Sequence, residues 1–345
     1  MANQVTENRV IKNRQPLVHF SSSTYIRMWL VSFCALIVIL QSSFSDSFYS
    51  LILALTVTIA ALLTEFFILY FKNGKTSLLK DGSVVATALV FTLLLPKRMP
   101  LSFAVFGIIF GVGIIKHCFG GLGSYWLHPA AGGWLFIRLS WPGVFNQALS
   151  TTAPSSLSAQ LSIMEQSSAS GFMENIFTFL NNTVLLFFRA EIPASYTHLF
   201  MSSQPGIIAD RGVLALLVGT ILITAFRASR SWIPAIWLTS FGFFTFMAGA
   251  IPDNGGWWNG DILFTFLTGG TLASAFLLAA EPVTSAKSNI SVLVSSIAGG
   301  FLAWLFRFPG GEICGAIFSV LLINGLLPVA RYFEDFLRSF KGRVI

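Results

Sequence analysis

Long apolar runs constrain this chain more than any other feature: Met28 to Leu40, Leu51 to Phe71, Val213 to Phe226 and Ala316 to Leu327. A helix needs about 20 mainly apolar residues to cross the hydrocarbon of a bilayer. Composition points the same way. Of 345 residues 54% are hydrophobic and only 10% charged, where a soluble domain carries about 25% charged residues. The mean hydropathy is +0.75. The chain reads as an all-α polytopic membrane protein.

The same residues exclude other classes. Cys34, Cys118 and Cys314 are too few for a four-cysteine cluster and include no C-x-x-C pair. The four histidines form no H-E-x-x-H, and no metal site is expected. Gly74-Lys75-Thr76 echoes a phosphate-binding loop, but the earlier glycine is Leu69. Gly111-Val112-Gly113 runs into Lys116 where a dinucleotide fingerprint needs glycine. The net charge of +7 does not argue for nucleic acid, because the cations cluster beside apolar runs. The first 20 residues are polar and basic, without a signal-peptide pattern.

Ten spans are expected, at 25–42, 48–71, 82–96, 100–116, 129–141, 212–227, 232–251, 262–280, 290–307 and 312–331. They divide the chain into a cytoplasmic basic tail (1–24), a five-helix repeat (25–141), an extracytoplasmic loop (142–211), a second five-helix repeat (212–333) and a basic tail (334–345). Three spans look interrupted: 82–96 stops at Pro96, 129–141 opens on Pro129-Ala-Ala-Gly-Gly, and 262–280 carries Gly269-Gly270. A broken helix survives in a membrane only where protein or a wet cavity satisfies the freed backbone groups. With the N-terminus inside, fifteen of the 21 Lys and Arg fall on the inner face and six outside, so both termini are expected in the cytoplasm.

An internal repeat is the more informative pattern. Asp81-Gly-Ser-Val-Val-Ala-Thr…Leu95-Pro96 is answered by Thr268-Gly-Gly-Thr-Leu-Ala-Ser…Glu281-Pro282. Gly120-Gly-Leu-Gly…Trp141-Pro142 is answered by Pro309-Gly-Gly-Glu…Leu327-Pro328. An odd number of spans per half inverts the second half. Inverted repeats place small-molecule or ion sites near the midplane, where broken helices meet.

These motifs resemble a known family. Lys80-Asp-Gly-Ser-Val-Val-Ala-Thr-Ala-Leu, Lys116-His-Cys-Phe-Gly-Gly-Leu-Gly-Ser-Tyr-Trp-Leu-His-Pro-Ala, Gly269-Gly-Thr-Leu…Glu281-Pro-Val-Thr-Ser and Gly310-Gly-Glu…Leu322-Ile-Asn-Gly-Leu-Leu-Pro are similar to the D subunits of Rnf electron-transport complexes. They are equally similar to the homologous B subunit of the sodium-translocating NADH:quinone oxidoreductase. The match runs from about Arg27 to Tyr332. The resemblance implies a ten-helix 5+5 inverted repeat with broken helices, like that of urea channels. It also implies a place in the bacterial cytoplasmic (inner) membrane beside a G-type subunit with covalent FMN and the A and E membrane subunits. The implied function is flavin-dependent electron relay coupled to Na⁺ or H⁺ movement, with no turnover by the isolated chain.

In the family a threonine of the outer loop holds FMN through its phosphate. The matching stretch is Gln147-Ala-Leu-Ser150-Thr151-Thr152-Ala153-Pro154, with Gln147 in place of the family's Asp and Thr-Ala in place of Ala-Thr. The resemblance therefore points to Thr152 first and Thr151 second, and leaves covalent attachment open. A second, non-covalent flavin is a further option. Glu65, deep in its span and matching a family glutamate, is expected either on a cation path or paired with a cation of a neighbouring helix. Asp81 and Glu281 are expected at equivalent places in the two repeats, near helix breaks whose N-termini suit a flavin's phosphate or ring oxygens. The alternative function is a urea-channel-like channel or transporter for a small solute, since a fold does not fix a function.

Overall fold

A computed structural model describes residues 24–45, 48–73, 81–150, 178–179, 181–185, 206–226, 232–249, 257–286 and 288–341. Its regular elements among the described residues are helices. The first half holds α1 (Thr24–Ser45), α2 (Tyr49–Asn73), α3 (Ser83–Leu94), α4 (Leu101–Phe110, prolonged by a π-helical turn Gly111–Lys116), α5 (Pro129–Ser140) and α6 (Pro142–Ser150). After a π turn at Asn181–Leu185 come α7 (Ile208–Arg211), α8 (Val213–Ala225), α9 (Trp232–Ala248), α10 (Ile262–Leu267), α11 (Thr271–Ala273, prolonged by a π turn Ser274–Ala279), α12 (Asn289–Arg307) and α13 (Gly315–Lys341).

Among the described residues, three helices are long and apolar enough to cross a membrane: Tyr25–Phe44, Tyr49–Lys72 and Asn289–Arg307. Their outer faces carry large apolar side chains such as Leu55, Ile59 and Leu63 of α2, which suits contact with lipid. α3 is different. Its 12 residues rise only ~18 Å, well short of the ~30 Å of hydrocarbon, and all of them except Val85 are buried. A helix apolar on every side belongs in the centre of a bundle. The expected break at Pro96 is there: Leu95 leaves the helix as extended chain, its carbonyl accepts from Ile208 N–H at 2.9 Å, and Pro96 forms an isolated bridge with Ile207. The chain entering the second half is thus fastened to the end of α3.

The halves are packed alike. α2 lies against α3 and α4, and α4 and α3 against α5; α9 lies against α11 and α12, and α12 and α11 against α13. Between the halves, α1 packs on α8. Apolar lipid offers helices no hydrophobic reason to associate, so small residues allow close approach instead. A Cβ on Gly111 of α4 would stand 2.6 Å from Pro129 O, and one on Gly133 of α5 would stand 2.5 Å from Gly107 O. The Gly107-x-x-x-Gly111 pair thus supplies close packing of α4 on α5 within the chain.

Candidate functional site

Glu65 meets a buried cation from a neighbouring helix. Lys116, the last residue of the α4 π turn, donates to Glu65 Oε1 at 2.9 Å and Oε2 at 3.0 Å. Its third donor reaches Ser83 Oγ at 2.9 Å, and Ser83 donates onward to Asp81 Oδ1 at 2.9 Å. His117 Nε2 lies 2.8 Å from Glu65 Oε2. An ammonium has three N–H donors, and all three are used here. That matters because a buried ion pair is tolerated only when its remaining hydrogen bonds are made. Asp81 also accepts from Ser83 N at 3.1 Å, capping α3, while Gly82 turns the chain at φ 72° where L side chains are disfavoured.

Glu281 anchors a second cluster. Tyr125 donates to its Oε1 at 2.5 Å, Thr284 to its Oε2 at 3.1 Å, and His128 Nε2 lies 3.5 Å from Oε2. His128 also caps α5, its Nδ1 accepting from Ala130 N at 3.2 Å. The ring proton therefore belongs on Nε2, the nitrogen facing Glu281. Tyr125 stands in the loop between α4 and α5. Burial first, and the Glu281 carboxylate second, hold its phenol well above the ordinary value of 10.0.

Both clusters border one cavity of about 280 Å³ between the halves. Ser83, Lys116, Tyr125, His128, Glu281 and Arg27 of α1 are among its polar lining residues, and Val31, Ala86, Val90, Phe276 and Leu277 among its apolar ones. The volume is close to the lower end of ligand pockets, roughly 300–1,000 Å³.

The second helix break, between α10 and α11, carries no such cavity residue. Asp210 of α7 accepts from Gly269 N at 3.0 Å and Gly270 N at 2.7 Å, which places a carboxylate on the N-terminus of α11. Arg307, the last residue of α12, donates to Thr265 O at 3.0 Å, Thr268 O at 2.9 Å and Thr271 Oγ1 at 3.2 Å, and also to Thr268 Oγ1. It thereby satisfies the carbonyls that the end of α10 leaves open.

The geometry corrects three expectations. Asp81 opens α3 whereas Glu281 follows the last turn of α11, so the two stand at opposite ends of their helices and not at equivalent ones. The N-termini of both breaks already hold carboxylates, Asp81 and Asp210, and are not open for a phosphate. Lys97, Lys116, Arg211 and Arg307, counted in the sequence as cations flanking spans, are all buried in protein. Of the residues singled out in the sequence, Glu65 and Asp81 are joined through Lys116 and Ser83, and Glu281 lines the same cavity as those two linking residues. Thr151 and Thr152 lie outside the described residues; α6 carries the chain to Ser150, its Phe145 ring packed edge-on against Trp134 of α5. Sequence reasoning missed Tyr125, His128, Asp210 and Arg307. Lys116 and Arg307 had one available signal: each is a cation closing the fourth span of its half, shortly before a Gly-Gly pair.

The chain is similar to proteins of known name. The chain is 26% identical over 342 residues to the D subunit of the proton-translocating ferredoxin:NAD(+) oxidoreductase complex of Clostridium ljungdahlii, covering 96% of each chain. It is 27% identical over 332 residues to the D subunit of the ion-translocating oxidoreductase complex of Vibrio cholerae, covering 90% of this chain and 93% of that one. The corresponding D subunit of Erwinia tasmaniensis is 28% identical over 338 residues, 93% of this chain and 95% of its own. The family model for NQR2, RnfD and RnfE matches residues 11–336, and the chain belongs to that NQR2, RnfD, RnfE family.

Proposed function

We propose that this chain is the D-type membrane component of an Rnf-type ion-translocating oxidoreductase complex, and that the cavity between its halves holds a flavin. The cavity's lining, polar and apolar residues contributed by both halves, carries the reading. When bound, the flavin supplies the electron-transfer chemistry. The chain's own residues do the rest. Val31, Ala86 and Phe276 line the cavity with apolar surface, Lys116 brings positive charge to its lining, and Tyr125 and His128, both engaged with Glu281, add polar groups of fixed orientation.

A covalent FMN belongs at Thr152 or, second, Thr151, in the outer loop that follows α6. The reading has two flavins: one dissociable in the cavity, one tethered in that loop, where a G-type partner's own flavin is reached. The A and E membrane subunits complete the path, and the coupling ion is Na⁺ or H⁺.

The matched packing of the two halves, with a positive-φ glycine at each break and a buried cation closing each fourth span, supports a 5+5 inverted repeat. Cation placement supports cytoplasmic termini, an outer 142–211 loop and a place in the inner membrane. A reporter fused after Gln160 should be extracytoplasmic; a cytoplasmic one contradicts that topology. The function is tested on the complex purified with its own flavin-transferase. In-gel fluorescence of this chain should vanish in the Thr151→Ala/Thr152→Ala variant while an acid-released flavin remains. A colourless protein that passes a small polar solute in liposomes would contradict the reading in favour of a channel.

A further inference from the structure

Asn324 and Pro328 belong to one of the motifs singled out in the sequence, Leu322-Ile-Asn-Gly-Leu-Leu-Pro, and neither lines the large cavity. Both stand in α13. Proline has no N–H, so Pro328 leaves the carbonyl four residues earlier, that of Asn324, without its helical donor. A membrane helix tolerates such a loss where neighbouring groups or ordered water make it good.

A second, smaller cavity of about 20 Å³ lies at this place, where α9, α12 and α13 meet. Three residues that line it carry buried side-chain atoms with no partner among the described residues: Trp237 Nε1 of α9, Ser296 Oγ of α12 and Asn324 Nδ2 of α13. These residues are 2%, 3% and 3% exposed, so bulk water does not serve them. Buried polar atoms are rarely left unpaired. The chemistry narrows the ligand. An indole nitrogen only donates, so its partner must offer a lone pair, which excludes a bare metal cation. Among the described residues none that lines the cavity is charged, so a bound anion would stand uncompensated. One water needs roughly 10–15 Å³ and two to four polar partners, and the cavity supplies both.

We propose that one water molecule is bound in this cavity, accepting from Trp237 and Asn324 and donating to Ser296, and that it joins α9, α12 and α13. Its second hydrogen remains for the carbonyl that Pro328 leaves open. The place bears on the large cavity as well. Ala280, Glu281, Pro282 and Val283 line that one, while Ala279, Ser285 and Ala286, on either side of them in the chain, line this one. The water thus supports the segment that carries Glu281, whichever ligand the large cavity takes.

The test is X-ray hydroxyl-radical footprinting of the purified complex, read by mass spectrometry. The radicals form from water itself, so a buried indole is oxidised where a water is bound beside it. Trp237 is expected to gain oxygen. Trp134, equally buried and with an unpartnered Nε1 but lining neither cavity, is expected to stay unmodified. Asn324→Leu and Ser296→Val each remove a polar partner and fill space, and each is expected to abolish the Trp237 product in a complex that assembles. If neither variant assembles, the wild-type contrast between Trp237 and Trp134 decides. An unmodified Trp237 in the wild type, a yield matched at Trp134, or a product that survives in an assembled variant overturns the proposal.

Discussion

The two helix breaks use the same materials to different ends. At each, glycine in the left-handed region turns the chain, a carboxylate caps the following helix, and a cation from the end of the fourth span lies buried alongside. At the second break the charges are spent on backbone and threonine hydroxyls: Asp210 on two N–H groups, and Arg307 on two carbonyls and the hydroxyls of Thr268 and Thr271. At the first, the cation is spent on another side chain, Glu65, and faces a cavity. A charge tied to backbone is a fastening, because moving it uncovers polar groups that lipid cannot satisfy. A charge tied to a side chain has a partner that a single substitution can neutralise.

The largest effect that separates the two breaks is expected from removing the cations. Arg307→Met and Lys116→Met should each cost about 3–5 kcal/mol, since each leaves a buried partner uncompensated. The double variants then diverge. Glu65→Gln/Lys116→Met should recover most of the loss, whereas Asp210→Asn/Arg307→Met should not, because Thr265 O and Thr268 O stay orphaned. Thermal unfolding of the purified complex measures this, and equal recovery at both breaks would erase the distinction.

Glycine substitution is next in size. Gly269→Ala forces φ 67° on an L residue and puts Cβ 2.3 Å from Ile313 O, a backbone atom. Gly82→Ala forces φ 72° but meets the Trp29 side chain, which is able to turn aside. The first is expected to lose the fold of its half or cost well beyond the ~1–3 kcal/mol of a strained backbone, and the second to stay within that range. Protein yield and melting temperature distinguish them.

The smallest effect concerns pH. Because the Tyr125 phenol is raised in the folded chain, its contribution to stability is present below the ordinary value of 10.0 and is lost as pH rises above it. Glu281→Gln removes the second cause of that shift and is expected to shallow the alkaline loss. Melting curves of the complex above pH 10 check this, and an unchanged slope would mean that burial alone sets Tyr125.

Much of the fold was legible because apolar runs, prolines and glycines mark span edges and breaks directly: Pro96 ends α3, Pro129 opens α5, and Gly269-Gly270 divides α10 from α11. Glu65, Asp81 and Glu281 were legible because ionisable groups in or beside apolar runs are rare and costly. Their partners were not. Counting cations at span ends sets orientation, but it does not say whether Lys116 or Arg307 folds back into protein. Tyr125 and His128 sit in a Gly-rich loop whose path only tertiary packing decides. Asp210 stood in the long outer loop, with no local sign that it caps a helix some sixty residues further on.

The central claim is that the cavity between the halves holds a dissociable flavin, and filling the cavity tests it most directly. Ala86 of α3 lines the cavity, and Ala86→Phe introduces a ring into that space without touching a charged group. Acid-released flavin, counted per copy of this chain in the purified complex, should fall by about one equivalent in the variant, while any covalent flavin stays. An unchanged count, in a complex that assembles and retains its other components, would place the dissociable flavin elsewhere and contradict the account.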